Sequence, residues 1–153
     1  MQSKFLESDF FCEKRILLLG INRIQSRPTF QHVKDYDAML EQFKAVGIDE
    51  IHFVSICDFL LFDQVMVKLA PHSKSTQLSA PDDITALQDF LGKKGHHKFL
   101  KEYWQFVAVV DRGQVEFYAD QPFGGKFGPD TRVNIYSHLW PEKMLEWLTE
   151  KSI

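Results

Sequence analysis

The sequence has little of several features that would narrow its function. It contains only two cysteines in 153 residues, too few for a disulfide framework. Charged residues interrupt the apolar ones along the N-terminal stretch, so it shows no secretory h-region. Apolar runs such as residues 16–19 and 59–62 fall far short of the roughly 20 residues that a membrane span needs. We therefore expect a cytoplasmic protein without a transmembrane segment.

The sequence also lacks an excess of positive charge. Eighteen Lys plus Arg stand against 21 Asp plus Glu, a formal net charge of −3. This balance argues against a nucleic-acid binder, whose affinity depends on neutralising many phosphates. What the chain does contain is core material, with 44% hydrophobic and 14% aromatic residues. Its length is close to the usual size of one domain, so we expect residues 1–153 to form a single domain.

Hydrophobic patterning in the first third of the chain predicts an α/β fold. Residues 16–19 form a continuous apolar run that is typical of a strand buried on both faces. Apolar residues then recur at helical spacing over residues 30–46, and Gly47 stands where a C-terminal cap is expected. A second strand follows over residues 51–56, and a strand, helix and strand in this order favour a parallel, right-handed crossover.

The remainder of the chain extends this pattern. We predict helices over residues 59–69, 81–91 and from Pro141, short strands over 77–79 and 133–136, and two longer strands over 104–110 and 115–118. Asp111-Arg112-Gly113 joins the two longer strands with a typical hairpin sequence. The expected architecture is a mixed, mostly parallel central sheet with helices on both faces and an antiparallel hairpin in the C-terminal half.

Two segments carry a more specific resemblance. Residues 44–58 read Lys-Ala-Val-Gly-Ile-Asp-Glu-Ile-His-Phe-Val-Ser-Ile-Cys-Asp, and residues 107–115 read Val-Ala-Val-Val-Asp-Arg-Gly-Gln-Val. The first is similar to the phrase that opens and closes the second core strand of the atypical two-cysteine peroxiredoxins, and the second to their hairpin. From about residue 13 to 118 the chain thus resembles this redoxin family, which implies a thioredoxin-like fold and a homodimer.

The resemblance also implies where catalytic residues would stand. Such peroxiredoxins reduce hydroperoxides with a thiolate in a Pro-x-x-x-Thr-x-x-Cys motif at the first turn of a helix, assisted by an Arg before the hairpin. Counting along this chain without gaps, the four positions fall on Asn22, Ser26, Thr29 and Gln105. An alternative anchor on Pro28 and Thr29 puts Phe30 at the cysteine position, so neither count supplies sulfur. Arg27 or Lys101 remains as another source of positive charge.

Cys57 is the alternative nucleophile. It follows the second predicted strand, at the end where open α/β sheets place ligand sites, and the family usually has Asn there. It either packs as a small hydrophobe or reacts with the help of an external thiol donor such as glutathione. Cys12 precedes the first strand, on the order of 20 Å away along parallel strands, so we expect no disulfide between the two.

Several residues are candidates for binding. Arg23 and Arg27 belong to a polar segment that leads into a helix, which can hold a small anion, and His32 matches a histidine that the family often carries near its cysteine. A basic cluster, which is either a solvated surface or a contact for an acidic partner, comprises Lys93, Lys94, Lys98 and Lys101. His96 and His97 are adjacent and point apart, so we expect no metal site.

These observations lead to two hypotheses. In the first, the chain is a peroxiredoxin-like pseudoenzyme that acts as a binding or assembly module, as a homodimer or with another protein partner and without a cofactor. In the second, it is a thiol-dependent peroxidase or oxidoreductase that uses Cys57.

Overall fold

The computed structural model describes residues 13–21, 27–55, 61–78, 81–91, 106–120 and 141–151. The strands in these ranges are β1 (Arg15–Ile21), β2 (Glu50–Ser55), β3 (Lys74–Gln77), β4 (Phe106–Asp111) and β5 (Gln114–Asp120). The helices in them are α1 (Arg27–Ala38), α2 (Leu40–Ala45), α3 (Phe62–Leu69), α4 (Pro81–Phe90) and α5 (Pro141–Lys151). None of these helices is long and apolar enough to cross a bilayer.

The five strands form one mixed sheet in the order β3-β2-β1-β4-β5. β1 pairs in parallel with β2, and β2 in parallel with β3, whereas β4 runs antiparallel to both of its neighbours. The central position of β1 explains its continuous apolar sequence, because residues 16–21 are buried on both faces of the sheet. The predicted α/β class and the antiparallel hairpin are confirmed.

Helices cover both faces of the sheet, as predicted. On one face α1, α2, α3 and α5 pack over alternate residues of β1 that include Leu17 and Leu19. On the other face α4 packs through Leu87 over Ile16 and Leu18. The two-residue alternation of a strand divides the apolar run of β1 between these two cores.

One predicted helix is two helices in the structure. The apolar spacing over residues 30–46 predicted a continuous helix, but Met39 separates α1 from α2. Its backbone lies outside the helical region, with φ −101° and ψ 13°, and its N–H donates to the carbonyl of Tyr36 three residues back. The apolar spacing survives this interruption because it reports which side chains face the sheet, not whether the backbone ladder is continuous.

Two other boundaries differ from the prediction. β3 lies at residues 74–77 rather than 77–79, because this polar edge strand is defined by its backbone pairing with β2 and not by apolar side chains. α3 begins at Phe62 rather than at residue 59, and its Asp63 and Lys68 are exposed to solvent. The predicted strand at residues 133–136 lies outside the described residues.

The hairpin between β4 and β5 has the geometry that its sequence predicts. Arg112 and Gly113 both have positive φ, 49° and 86°, as a two-residue type I′ turn requires. This turn matches the right-handed twist of the strands that it joins. An irregularity in the pairing between Val109 and Val110, which the sequence does not reveal, lies in the same hairpin.

Candidate functional site

Strand register brings three strand ends to one edge of the sheet. Ile21, the last residue of β1, lies opposite Ser55, the last residue of β2. Gly20 lies opposite Phe106, the first residue of β4. α1 begins six residues after β1 ends, at Arg27. This edge, which we call the carboxyl edge, therefore adjoins the chain positions at which the peroxiredoxin resemblance expects catalytic residues.

The sequence-predicted site residues divide unevenly between described and undescribed parts of the chain. Arg27 and Thr29 lie in the first turn of α1, and His32 lies in its second turn. In the chain, Cys57 follows the end of β2 by two residues and Gln105 directly precedes β4. The candidates outside the described residues are Asn22, Arg23, Ser26, Cys57, Lys93, Lys94, Lys98, Lys101 and Gln105.

His32 is the predicted site residue whose surroundings the structure describes most fully. Its side chain is buried, with 7% exposure, and its ring meets the ring of Tyr36 edge-on at 5.0 Å between centroids. Burial lowers the pKa of His32 from 6.5 to about 4, so the imidazole is neutral near pH 7. Its Nε2 is buried, and no hydrogen-bond partner for it lies among the residues that the structure describes. The sequence offered no signal for this buried nitrogen.

Tyr36 continues the same side of α1 one turn further on. It is fully buried and stacks on Phe43 of α2, with 5.8 Å between ring centroids. Burial raises the pKa of Tyr36 well above 10.0, and the negative charge of Glu142 on α5 adds to the effect. The phenol therefore stays protonated at any working pH, and its ring supports the imidazole of His32.

The opposite edge of the sheet carries ion pairs. At the amino ends of β1, β2 and β3, the Glu50 carboxylate lies 2.8 Å from Lys14 Nζ and 3.3 Å from Lys74 Nζ. Burial raises the pKa of Glu50, but the hydrogen bonds and charges of Lys14 and Lys74 outweigh this effect and hold the pKa below 4.5. Arg15 forms a two-point contact with Glu116 of β5, at 2.8 and 3.2 Å.

A second buried histidine lies on the face covered by α4. His52 Nε2 lies 2.8 Å from Thr76 Oγ1 on β3. Burial lowers the pKa of His52 from 6.5 to about 4 and outweighs the negative charge of Glu50, which raises it, while the positive charge of Lys74 adds to the lowering. This polar pair joins β2 to β3 and lies away from α1. No group of three metal-ligating side chains occurs within the ranges that the structure describes.

Comparisons with known proteins agree on one kind of fold. No protein-family profile matches the chain. A Rhizobium etli protein described as a peroxiredoxin is 25% identical over 149 residues, which is 92% of this chain and 77% of the relative. Reduced Prx3 from Vibrio vulnificus, in complex with hydrogen peroxide, superposes with a TM-score of 0.66 at 18% identity, over 97% of this chain and 85% of that one. The chain has the thioredoxin-like fold of the peroxiredoxins.

Other solved structures extend the likeness. Peroxiredoxin 5 from Alvinella pompejana superposes with a TM-score of 0.63 at 13% identity, over 93% of this chain and 83% of that one. The thioredoxin-like fold implied by residues 44–58 and 107–115 is thus confirmed. Against this background, the first turn of α1 in this peroxiredoxin-like chain reads Arg27-Pro28-Thr29-Phe30, without a cysteine.

Proposed function

We propose that the chain is a peroxiredoxin-like protein without peroxidase turnover and acts as a binding or assembly module. One observation carries the proposal: the first turn of α1, where the family resemblance expects the reactive cysteine, holds Thr29 or Phe30 at that position. The only cysteines of the chain, Cys12 and Cys57, are each more than ten residues outside α1.

The chemistry of the replacement supports this proposal. A helix N-terminus stabilises a thiolate, which then attacks the peroxide oxygen and becomes a sulfenic acid. The hydroxyl of a threonine does not ionise near pH 7, and its oxygen has no equivalent oxidation states. A phenylalanine ring offers no nucleophile at all. Neither Thr29 nor Phe30 therefore performs the redox step of the family.

The residue at the position of the family's assisting arginine also argues against peroxidase turnover. Gln105 stands there in the sequence, and its amide forms hydrogen bonds but supplies no positive charge to a leaving oxygen. Residues that suit binding remain in the same segment of chain. Arg23 and Arg27 flank the start of α1, and no acidic residue occurs in the first turn of that helix. We propose a small anion as ligand there, and a homodimer or another protein as partner in the cytoplasm.

Peroxide consumption tests the proposal directly. The purified chain is mixed with hydrogen peroxide and glutathione, and the remaining peroxide is measured over time. We expect no consumption above that of the thiol alone. The matched variants Thr29→Cys and Phe30→Cys restore sulfur at each of the two counted positions, and we expect at least one of them to consume peroxide. Rapid consumption by the unmodified chain would overturn the proposal.

Cys57 is the basis of the second candidate function. Ser55 closes β2 opposite the last residue of β1, and two residues of chain span at most about 7 Å, so Cys57 is within reach of the carboxyl edge. If the unmodified chain consumes peroxide, the variants Cys57→Ser and Cys12→Ser identify the sulfur. If Cys57→Ser lost this activity and Cys12→Ser kept it, the chain would be a thiol-dependent enzyme that uses Cys57, and not a binding module without peroxidase turnover.

A further inference from the structure

Polar side-chain contacts join the edge strand β3 to β2. Thr76 Oγ1 lies 2.8 Å from His52 Nε2, and Lys74 Nζ lies 3.3 Å from the Glu50 carboxylate. Among the described strands β3 pairs with β2 alone, and none of its four side chains is fully buried. The position of β3 in the sheet therefore depends on its backbone pairing and on polar contacts of this kind.

The carboxylate of Glu50 lies in a cluster of ionisable groups. Glu50 and His52 are two residues apart on β2, so their side chains share a face and begin about 6.6 Å apart. Lys74 pairs in register with His52 on the neighbouring strand. Lys14 and Lys74 both contact Oε1 of Glu50, whereas Oε2 is buried and has no hydrogen-bond partner among the described residues. Within this part of the chain, one carboxylate oxygen is therefore available to a further donor.

A proton on His52 changes the charge balance of this cluster. Burial lowers the pKa of His52 to about 4, the negative charge of Glu50 raises it, and the positive charge of Lys74 lowers it. On the same face β1 and α4 present Leu18 and Leu87, which carry no charge. A buried imidazolium needs a countercharge, and Glu50 supplies one. The ammonium of Lys74 repels the imidazolium, and since that side chain is 54% exposed, its transfer to water costs little.

We propose that β3 is an acid-released edge of the sheet: when His52 gains a proton from solvent, Glu50 exchanges Lys74 for His52, and β3 opens while the other four strands stay paired. A contact between two strands is thereby replaced by a contact within β2. The change leaves the outer edge of β2 without its strand partner. It involves the β2–β3 side of the sheet and not the first turn of α1, so it goes beyond the proposed binding function and does not depend on it.

Amide hydrogen exchange followed by NMR tests the release of β3. In the closed state His52 takes up a proton only near its pKa of about 4, whereas in the open state it does so at its ordinary pKa of 6.5 or above. The opening constant at residues 74–77, corrected for intrinsic exchange, should therefore rise about tenfold per pH unit between pH 6 and 4.5. It should exceed that of residues 16–20 of β1 throughout. In His52→Gln, whose amide binds no proton, the rise should disappear, and in the matched control His32→Phe on the opposite face it should remain.

Further variants test the exchange of partners. If Glu50 receives the imidazolium, the rise begins above pH 6.5 in the unmodified chain and moves to lower pH in Glu50→Gln. Lys74→Met lacks a contact that holds β3 closed, so its opening constant at pH 7 should be about threefold larger, with the same rise in acid. Lys143→Met, which removes an exposed ion pair on α5, should change neither quantity.

Three results would overturn the proposal. If His52→Gln kept the rise, another group would take up the proton. If residues 74–77 and 16–20 shared one opening constant at every pH, β3 would open only with the whole sheet. If Glu50→Gln left the onset in place, Glu50 would not be the new partner. The second comparison uses the unmodified chain, so it remains decisive even if the variants do not fold. None of these measurements involves peroxide, so failure of the acid-released edge and failure of the proposed function are separate results.

Discussion

Two histidines show how burial dominates the protonation of a side chain. His32 on α1 and His52 on β2 lie on opposite faces of the sheet, and burial lowers the pKa of each from 6.5 to about 4. His52 Nε2 lies 2.8 Å from Thr76 Oγ1, whereas no hydrogen-bond partner for Nε2 of His32 lies among the described residues. Their shared neutrality therefore reflects burial, with or without a hydrogen bond to the ring.

Both histidines should make the fold sensitive to acid. Above pH 6.5 each imidazole is neutral in the folded and the unfolded chain, so neither affects the pH dependence. Below that pH each of the two imidazoles binds a proton in the unfolded chain. In the folded chain the same imidazoles stay neutral until the pH approaches their pKa of about 4. Stability should thus fall by about 1.4 kcal/mol per pH unit for each histidine as the pH drops, to a total of about 3 kcal/mol each.

Urea unfolding at several pH values measures this effect. The variant His32→Phe removes one of the two titrating groups, so its free energy of unfolding should fall less steeply as the pH drops. Between about pH 6 and 4.5, the slope of the variant should be smaller than that of the unmodified chain by about 1.4 kcal/mol per pH unit. If His32→Phe kept the full slope of the unmodified chain, the burial of His32 would not govern acid stability.

Gly20 shows a different constraint at the scale of one residue. A Cβ atom at this position would overlap the Cδ2 and Cε2 atoms of the Phe106 ring, which is fully buried. Gly20→Ala should therefore lower the free energy of unfolding by about 2–3 kcal/mol through overpacking. Phe106→Leu in the same chain should recover part of that loss. At the open turn, Gly113→Asn should change stability by less than about 0.5 kcal/mol, since Asn tolerates positive φ.

At the scale of elements, prediction from sequence succeeded where side-chain pattern and backbone agree. The run at residues 16–19 and the hairpin at Asp111-Arg112-Gly113 gave β1, β4 and β5 close to their observed bounds. Prediction from sequence missed the interruption of the helix at Met39, because the spacing of the apolar residues that face the sheet continues across Met39. It also displaced β3, whose polar sequence Lys-Ser-Thr-Gln becomes a strand only by pairing with β2. Tertiary backbone pairing, which no local window contains, decides the position of β3.

One contact between elements yields a separate prediction. Oδ1 of the buried Asp37, near the end of α1, accepts hydrogen bonds from the backbone N–H of His72 at 3.1 Å and from the hydroxyl of Ser73 at 2.6 Å. Hydrogen bonds to a charged acceptor contribute about 1.5–3 kcal/mol. Asp37→Ala should therefore destabilise the chain by about 3 kcal/mol. It should also speed amide hydrogen exchange mainly at residues 71–77, in the turn and in β3.

Asp35 supplies the control on the same helix. Its carboxylate accepts a hydrogen bond from the side chain of Gln31 at the surface, so Asp35→Ala should cost less than about 0.5 kcal/mol and leave exchange in β3 unchanged. If the two variants had equal effects, the Asp37 contacts would be incidental and the turn would be held by its own backbone.

At the scale of the molecule, the sheet has two chemically different edges. Charged side chains pair with one another at the amino ends of β1, β2 and β3, while the carboxyl edge adjoins the chain positions of the candidate site. The sequence located that edge through residues 44–58, which resemble a known strand and its flanks. The sequence could not indicate the burial of His32, because a helical pattern contains the same residue type whether its imidazole is buried or solvated.

The ion pairs of the amino edge should contribute unequally. Arg15 and Glu116 are joined at two points with side chains only 21% and 31% exposed, whereas Lys143 and Glu146 lie 3.9 Å apart with side chains 63% and 62% exposed. A two-point, partly buried pair keeps more of its attraction than an exposed single contact.

A double-mutant cycle with Arg15→Gln and Glu116→Gln should therefore give a coupling energy of about 1 kcal/mol, against less than about 0.3 kcal/mol for the matching cycle on α5. Both cycles are measured by urea unfolding at low and at high salt. The coupling energy between Arg15 and Glu116 should persist at high salt, whereas that between Lys143 and Glu146 should disappear, because salt screens solvated charges most strongly. Equal couplings in the two cycles would show that the charged edge does not join β1 to β5 more firmly than an ordinary surface pair joins two turns of a helix.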